Sequence, residues 1–148
     1  MKIFDNTFKI NLKNNKDNRG FFIEIFKLNQ LDFNSKLCQI SHSFIKKNIT
    51  KGWHFHKKQT QWNYLLKGKI KVFLVDKRSK SKTLNKIKSF VIDAKKDKVV
   101  YLFPPNIGHA YQTIGKENHM IYGTSGVYSL NEEYKLKFNK KLIKISKN

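Results

Sequence analysis

The sequence contains one cysteine, two prolines and two arginines among its 148 residues. A single thiol cannot close an internal disulfide, and the apolar neighbour Leu37 predicts that Cys38 is packed. No run approaches the roughly 18 apolar residues of a membrane-spanning helix, and residues 1–5 show no signal-peptide pattern. We therefore expect a cytoplasmic protein with no membrane segment.

Because arginine is scarce, lysine carries almost all of the positive charge. Lysine and arginine number 31 against 10 acidic residues, which gives a formal net charge of +21, yet only Arg19 and Arg78 are arginines. Proteins that read nucleic-acid sequence rely on arginine for bidentate contacts. The composition therefore argues against a specific nucleic-acid partner, and an anionic small substrate fits the same charge. A basic nucleic-acid-binding module is the alternative, which the salt dependence of its affinity would reveal.

The sequence is rich in short apolar runs. Hydrophobic residues make up 39% of the chain and aromatic residues 14%, enough for a core. Runs of β-branched or aromatic residues between turn formers predict strands at 21–26, 39–45, 63–66, 70–75, 88–92, 99–103 and 120–122. One short helix is predicted near 29–33, and a tight hairpin at Lys67-Gly68-Lys69. We expect one all-β domain over residues 1–148, with a C-terminal tail from about residue 139.

Three histidines have a spacing that a β-sandwich would bring together. His54 and His56 are two residues apart, so on a strand both point to the same face. Gln61 and Gly68 follow them, and His109 comes just after a turn that contains proline and glycine. This spacing resembles the two motifs of the cupins, with Gln61 at the position of the acidic residue. The resemblance implies a cupin jelly roll, a β-sandwich or barrel.

The amide at position 61 bears on metal binding. A metal site of this type needs imidazole nitrogens and a carboxylate, and a neutral amide is a weaker ligand for hard divalent ions. The presence of Gln61 therefore predicts that the protein uses no metal. We expect no cofactor, and a metal-binding cupin is the alternative.

A series of segments between Asp17 and Tyr128 resembles the cupin sugar-nucleotide family, in particular the dTDP-4-dehydrorhamnose 3,5-epimerases. The segments are residues 17–24, 39–43, 51–55, 75–83 and 104–109, together with Tyr122 and Tyr128. The resemblance implies a metal-independent homodimer. It also implies an isomerase that epimerises a nucleotide-linked 4-keto-6-deoxy sugar, dTDP-linked in the familiar enzyme, at C3, C5 or both. Such a reaction belongs to deoxysugar and polysaccharide biosynthesis.

The same resemblance implies a role for each candidate site residue. His54 matches the general base and Tyr122 the general acid on the other face of the sugar, and Gln61 and His56 complete the predicted catalytic residues. The substrate-binding residues would be Arg19 at the diphosphate, Phe21, Glu24 and Gln39 near the nucleoside, and Lys51, His109 and Tyr128 in the pocket.

These residue types suit the chemistry. A carbon next to a ketone loses a proton to give an enolate, and a base with a pKa near neutrality, such as histidine, can remove it. Inversion then requires a proton from the opposite face, for which a tyrosine hydroxyl across the ring is suitable. Hydrogen-bond donors can stabilise the enolate oxygen without a metal.

The sequence departs from the family at four points. Gln61 stands where the family has a lysine near the developing oxyanion, Lys51 replaces an arginine, and His56 replaces a residue that is usually glutamine. The family's carboxylate that orients the catalytic histidine has no counterpart. The His54–His56 segment, with Gln61 and Gly68, also resembles the 3,4-ketoisomerases, which move a proton between adjacent carbons with a histidine pair. That reaction is the alternative, whereas Tyr122 and residues 75–83 favour epimerisation.

Overall fold

The computed structural model describes residues 1–26, 37–127, 129–132 and 134–136. Over these residues the chain forms short β-strands joined by turns. The strands are β1 Lys2–Phe4, β2 Thr7–Asn11, β3 Asn15–Asp17, β4 Gly20–Phe22, β5 Gln39–Lys46, β6 Thr50–Phe55, β7 Gln61–Lys67, β8 Lys69–Asp76, β9 Ile87–Asp93, β10 Val99–Phe103, β11 Ile107–Thr113, β12 Glu117–Thr124 and β13 Tyr134–Lys135. A single 3-10 turn lies at Leu130–Glu132. The all-β prediction is confirmed.

Two antiparallel sheets and one hairpin account for these strands. One sheet has six strands in the order β1-β2-β10-β7-β12-β5, and the other has five in the order β13-β6-β11-β8-β9. Strands β3 and β4 form a separate two-stranded hairpin. Strands adjacent in sequence often lie in different sheets, so the chain passes repeatedly from one sheet to the other.

The main core lies between the two sheets, because alternate residues of each strand point inward. It includes Leu65, Ile70, Leu74, Ile92 and Met120, all of which are buried. A second cluster covers the outer face of the six-stranded sheet, where the other residues of β7 and β10 pack against the N-terminal region. Its buried members are Trp62, Tyr64, Val100 and Leu102.

The hairpin predicted at Lys67-Gly68-Lys69 is wrong. Strand β7 pairs with β10 and β12, whereas β8 pairs with β11 and β9, so this turn carries the chain from one sheet to the other. Gly68 has a φ of 102° and packs directly against Asn118. The Asn118 side-chain oxygen accepts the backbone N–H of Lys69 at 3.0 Å. In a hairpin the Lys69 N–H would bond to the neighbouring strand, whereas here the Asn118 side chain accepts it.

Several other sequence predictions differ from the structure in detail. The predicted strand at 21–26 is shorter, since β4 ends at Phe22, and strands β1, β2, β3, β6, β11 and β13 were not predicted. The prediction that Cys38 is packed is wrong. Leu37 packs against the outer cluster, and Cys38, the next residue, is exposed. The predicted helix near 29–33 and the tail from 139 lie outside the described residues. Within the described ranges, no helix combines the length and apolar character that crossing a bilayer requires.

Candidate active site

A cavity of about 300 Å³ lies between the sheets, and both sheets contribute to its walls. Strands β6 and β11 supply one wall, and β5, β7, β10 and β12 supply the other. The lining residues are Gln39, Ser41, Lys51, Gly52, His54, His56, Gln59, Gln61, Asn63, Tyr101, His109, Ala110, Tyr111, Tyr122 and Thr124. The cavity therefore contains hydrogen-bonding and titratable groups on facing surfaces.

The three predicted histidines meet at one side of the cavity, two on strands of the five-stranded sheet and His56 just past the end of β6. His54 on β6 and His109 on β11 are cross-strand partners, and their ring centroids are 6.4 Å apart. The His56 and His109 centroids are 5.3 Å apart. The Nδ1 atoms of His56 and His109 lie 2.8 and 3.2 Å from the carbonyl oxygens of Glu132 and Ile107. A carbonyl oxygen can only accept, so in each ring the Nδ1 carries a hydrogen and donates it.

His109 is the histidine whose pKa the site changes most clearly. Burial lowers the pKa of His109 from 6.5 to about 3, and the nearby His56 and His54 act in the same direction. Its ring also lies against Phe103, with the centroids 4.7 Å apart. His109 is therefore neutral at physiological pH and offers hydrogen bonding rather than positive charge.

The facing wall holds a chain of polar side chains on β7 and β5. Gln61 Nε2 donates to Asn63 Oδ1 at 2.6 Å, and Asn63 Nδ2 donates to the backbone oxygen of Tyr101 at 3.2 Å. Gln39 Nε2 donates to Ser41 Oγ at 2.8 Å. These bonds hold the amides of Gln61 and Gln39 in fixed positions along the wall.

Tyr122 lies on this same wall, on β12 between β5 and β7. Its hydroxyl lies 2.6 Å from that of Tyr111 and 2.9 Å from Ser43 Oγ. Burial raises the pKa of Tyr122, although the hydrogen bonds with Ser43 and Tyr111 oppose that shift. The hydroxyl therefore stays protonated at neutral pH and can donate a proton.

The residues predicted to bind the nucleotide are placed differently. Arg19 and Phe21 belong to the β3–β4 hairpin and Glu24 follows it, and none of the three lines the cavity of its own chain. Arg19 is exposed, and its Nη2 contacts Asp17 Oδ2 at 2.6 Å. Phe21 is also exposed, and Lys98 Nζ lies 5.3 Å from its ring centroid. The hairpin thus presents a cation and aromatic rings to the surroundings of the subunit.

Of the predicted site residues, the cavity brings together seven, and Tyr128 lies outside the described residues. The seven are Gln39, Lys51, His54, His56, Gln61, His109 and Tyr122. Sequence reasoning missed other lining residues that share a strand with a predicted one, two positions further on. They are Ser41, Asn63, Tyr111 and Thr124. Extending the period-two alternation of a strand from each predicted residue would have found them.

The histidines do not form a recognisable metal centre with other ligands. Among the residues that the structure describes, no group of three or more His, Cys, Asp or Glu side chains has a geometry that holds a metal ion. The residue at the acidic position of the motif is Gln61, a neutral amide whose Nε2 donates to Asn63. That the reaction needs no metal stays a prediction.

Comparison with known proteins identifies the family. The family model described as dTDP-4-dehydrorhamnose 3,5-epimerase matches residues 2–147. The chain belongs to this family. The sequence is 26% identical over 138 residues to the dTDP-4-dehydrorhamnose 3,5-epimerase of Salmonella typhimurium, a match that covers 87% of this chain and 74% of the relative. It is 27% identical over 119 residues to the spore coat polysaccharide biosynthesis protein SpsL of Bacillus subtilis, covering 80% and 78% respectively.

A solved structure from the family shows the same fold. The crystal structure of the Legionella pneumophila dTDP-6-deoxy-D-glucose-3,5-epimerase, in complex with dTDP-4-keto-L-rhamnose, matches with a TM-score of 0.88 at 20% identity. The match covers 98% of this chain and 80% of that one. The predicted cupin jelly roll is therefore confirmed. The predictions of the sugar-nucleotide epimerase family and of an enzyme of this class are confirmed as well.

Proposed function

We propose that the protein is a metal-independent epimerase that inverts C3, C5 or both in a nucleotide-diphosphate-linked 4-keto-6-deoxy sugar. One observation carries this proposal: His54 and Tyr122 line a single cavity from facing sheets. A sugar ring bound between them has a base on one face and an acid on the other. That arrangement is what inversion of a carbon next to a ketone requires.

The reaction consists of two proton transfers. His54 takes the proton from the carbon beside the ketone, and the C–H electron pair moves into an enolate. The Tyr122 hydroxyl then gives its proton to the same carbon from the opposite face, which leaves the charge on the phenol oxygen. The raised pKa of Tyr122 keeps this proton in place until the enolate has formed.

The enolate oxygen needs hydrogen-bond donors between these two steps. The Gln61 amide lies in the cavity wall, where its bond to Asn63 fixes its orientation. Lys51 also lines the cavity and supplies positive charge. A neutral amide stabilises an anion less than an ammonium group does, so we expect slower turnover than a lysine at position 61 would give.

The positive charge of the chain suits the anionic diphosphate of a nucleotide-linked sugar. Relatives are named for dTDP-sugar epimerisation and for polysaccharide or glycan biosynthesis, and we propose a dTDP-linked substrate on that basis. Arg19 and Phe21 suit a diphosphate and a base, but they lie outside the cavity of their own chain. In the homodimer predicted from the sequence, the hairpin of one subunit would serve the cavity of the other. The homodimer and the cytoplasmic location stay predictions.

One observation favours 3,4-ketoisomerisation as the second candidate. His54 and His56 line the cavity from the same side, and the Nδ1 of His56 donates to the Glu132 carbonyl oxygen. Two imidazoles on one face suit the movement of a proton between adjacent carbons. This candidate gives no role to Tyr122, which is why we rank it second.

The test is incubation of the purified protein with dTDP-4-keto-6-deoxyglucose in D₂O, followed by NMR of each ring position. We expect deuterium at C3, C5 or both, and a product of inverted configuration. Exchange at C3 with appearance of a 3-keto product would favour ketoisomerisation. The absence of any exchange, with every 4-keto sugar nucleotide tried, would overturn the proposal.

A further inference from the structure

The Tyr122 hydroxyl lies between two other hydroxyl groups that come from different sheets. Tyr111 on β11 approaches it at 2.6 Å, and Ser43 on β5 approaches it at 2.9 Å. Tyr111 is 6% exposed and lines the cavity together with Tyr122. A single phenol oxygen is therefore held from both walls of the site.

The number of hydrogens in this group limits how it can be arranged. Each hydroxyl has one hydrogen to donate and can accept others. Tyr122 can direct its hydrogen into the cavity if Tyr111 and Ser43 both donate to its oxygen. If Tyr122 donates to either neighbour, its hydrogen is turned away from a bound sugar. The neighbours therefore decide whether Tyr122 is ready to act as an acid.

The same two groups matter after the proton has left. Tyr122 then carries a negative charge on a partly buried side chain, and a charge removed from water without a hydrogen-bond partner is costly. Hydrogen bonds to an ionised oxygen are shorter and stronger than those between neutral groups. Tyr111 and Ser43 are already at hydrogen-bond distance, so the charge forms beside two donors that need not move.

We propose that Tyr111 is a positioning residue that acts through Tyr122, and that with Ser43 it makes the return of the proton efficient. The inference rests on the proposed function, since it concerns the second of the two proton transfers. It assigns Tyr111 no part in the first transfer, in which His54 takes the proton, because the Tyr111 hydroxyl lies 2.6 Å from that of Tyr122, which acts in the second transfer.

The experiment compares Tyr111→Phe with wild type, and uses Tyr64→Phe as the matched control. Tyr64 is also a buried tyrosine, but it lies in the outer cluster away from the cavity. Deuterium exchange at the sugar carbon reports the first proton transfer, and formation of the inverted product reports the second. Both are followed by NMR with dTDP-4-keto-6-deoxyglucose, and the inversion rate is measured in H₂O and D₂O.

In Tyr111→Phe we expect exchange within about threefold of wild type and inversion slower by about 10–100-fold, the effect of losing one hydrogen bond to a charged group. The solvent isotope effect on inversion should rise, because proton return becomes slower. Tyr64→Phe should match wild type. Ser43→Ala removes the other donor, which lies on the six-stranded sheet. It should likewise slow inversion more than it slows exchange.

Two results would overturn the inference while leaving the proposed function intact. One is an equal loss of exchange and inversion in Tyr111→Phe, which indicates a general distortion of the cavity. The other is inversion at the wild-type rate. An absence of exchange in the wild type is a separate result, because it overturns the proposed function and this inference with it.

Discussion

Arg78 binds the buried carboxylate of Asp76 through two nitrogens, with Nε at 2.9 Å from Oδ1 and Nη2 at 2.6 Å from Oδ2. The other arginine of the sequence, Arg19, also pairs with the aspartate two residues before it, but both its Nε and its Nη2 contact the same oxygen, Asp17 Oδ2. The two pairs differ in burial, since the Asp76 side chain is 0% exposed and that of Asp17 is 49% exposed. Arg78 therefore pairs with a carboxylate inside the fold, whereas Arg19 pairs with a carboxylate on the exposed hairpin.

This difference predicts unequal effects on stability. Burial raises the pKa of Asp76, but hydrogen bonds from Arg78, Thr83 and Ser81 outweigh it and hold the pKa well below its ordinary value. Asp76→Asn should lower the free energy of unfolding by about 3–5 kcal/mol, because Arg78 loses its partner. Asp17→Asn, the matched control, should change it little. Urea unfolding at pH 7 measures both, and equal effects would contradict the assignment.

The same pKa shift predicts a dependence on pH. A carboxyl group whose pKa is lower in the folded state stabilises the fold above the unfolded pKa of about 3.8, and that contribution falls as the pH drops toward the folded value. Wild type should therefore lose stability below about pH 4, and Asp76→Asn should lose less over the same range. Unfolding curves from pH 6 to pH 3 give the comparison, and parallel curves would count against it.

Substitution of His54, the proposed base, should affect proton abstraction without affecting nucleotide binding. His54→Asn should bind dTDP as wild type does but lose about 10²–10⁴ in the rate of deuterium exchange, the usual loss when a general base is removed. His42→Asn is the control, because His42 lies on the six-stranded sheet outside the cavity lining. Calorimetry and NMR measure the two properties. Unchanged exchange in His54→Asn would rule out its role as the base.

Variants of Tyr122, the proposed acid, and of His56, the second imidazole, distinguish the two candidate reactions. Tyr122→Phe should allow exchange but block inversion, because the base still works and the returning proton is missing. His56→Asn should have the smaller effect on exchange. If Tyr122→Phe turns over normally while His56→Asn is inactive and the product is a 3-keto sugar, ketoisomerisation is the reaction.

The exposed arginine of the hairpin should act on the nucleotide. Arg19→Ala should weaken dTDP binding about tenfold, and this loss should shrink as salt rises, since exposed charges are screened. Lys88→Ala removes the same charge from an exposed position of β9 and serves as the control. Calorimetry at two salt concentrations measures the affinities. Equal affinity for wild type and Arg19→Ala would remove Arg19 from the binding site.

Chelation tests the predicted independence from metal. Treatment with EDTA should leave the rate of exchange unchanged, and elemental analysis of the purified protein should find less than one metal per chain. Loss of activity on chelation, with recovery when a divalent ion is added back, would instead support the metal-binding alternative.

The sequence predicted which side chains meet wherever their spacing along a strand decides the face on which they lie. The meeting of His54, His56 and His109 follows from the two-residue period of strands and from a turn before the third histidine. Contacts between sheets were not predictable in this way. The bond between Tyr111 and Tyr122 depends on which strands face each other, and the wrong hairpin at Gly68 shows that local turn chemistry does not decide that.

The residues predicted to bind the nucleotide show the same limit. The Asp17–Arg19 pair is local, and a turn of this kind can be expected from sequence. Whether Arg19 lies near a cavity depends on contacts between residues distant in sequence, or on the predicted homodimer, and neither leaves a local pattern.

Because His54 and Tyr122, the proposed base and acid, lie on different sheets, the apolar core between the sheets also affects the site. Facing sheets in a sandwich are separated by about 10 Å, a distance set by the side chains packed between them. Here those side chains include Leu65, Ile70 and Met120. A narrower or wider core would alter the gap between His54 and Tyr122, in which we propose that the sugar ring binds. A core substitution remote from every histidine can therefore change substrate fit as well as stability.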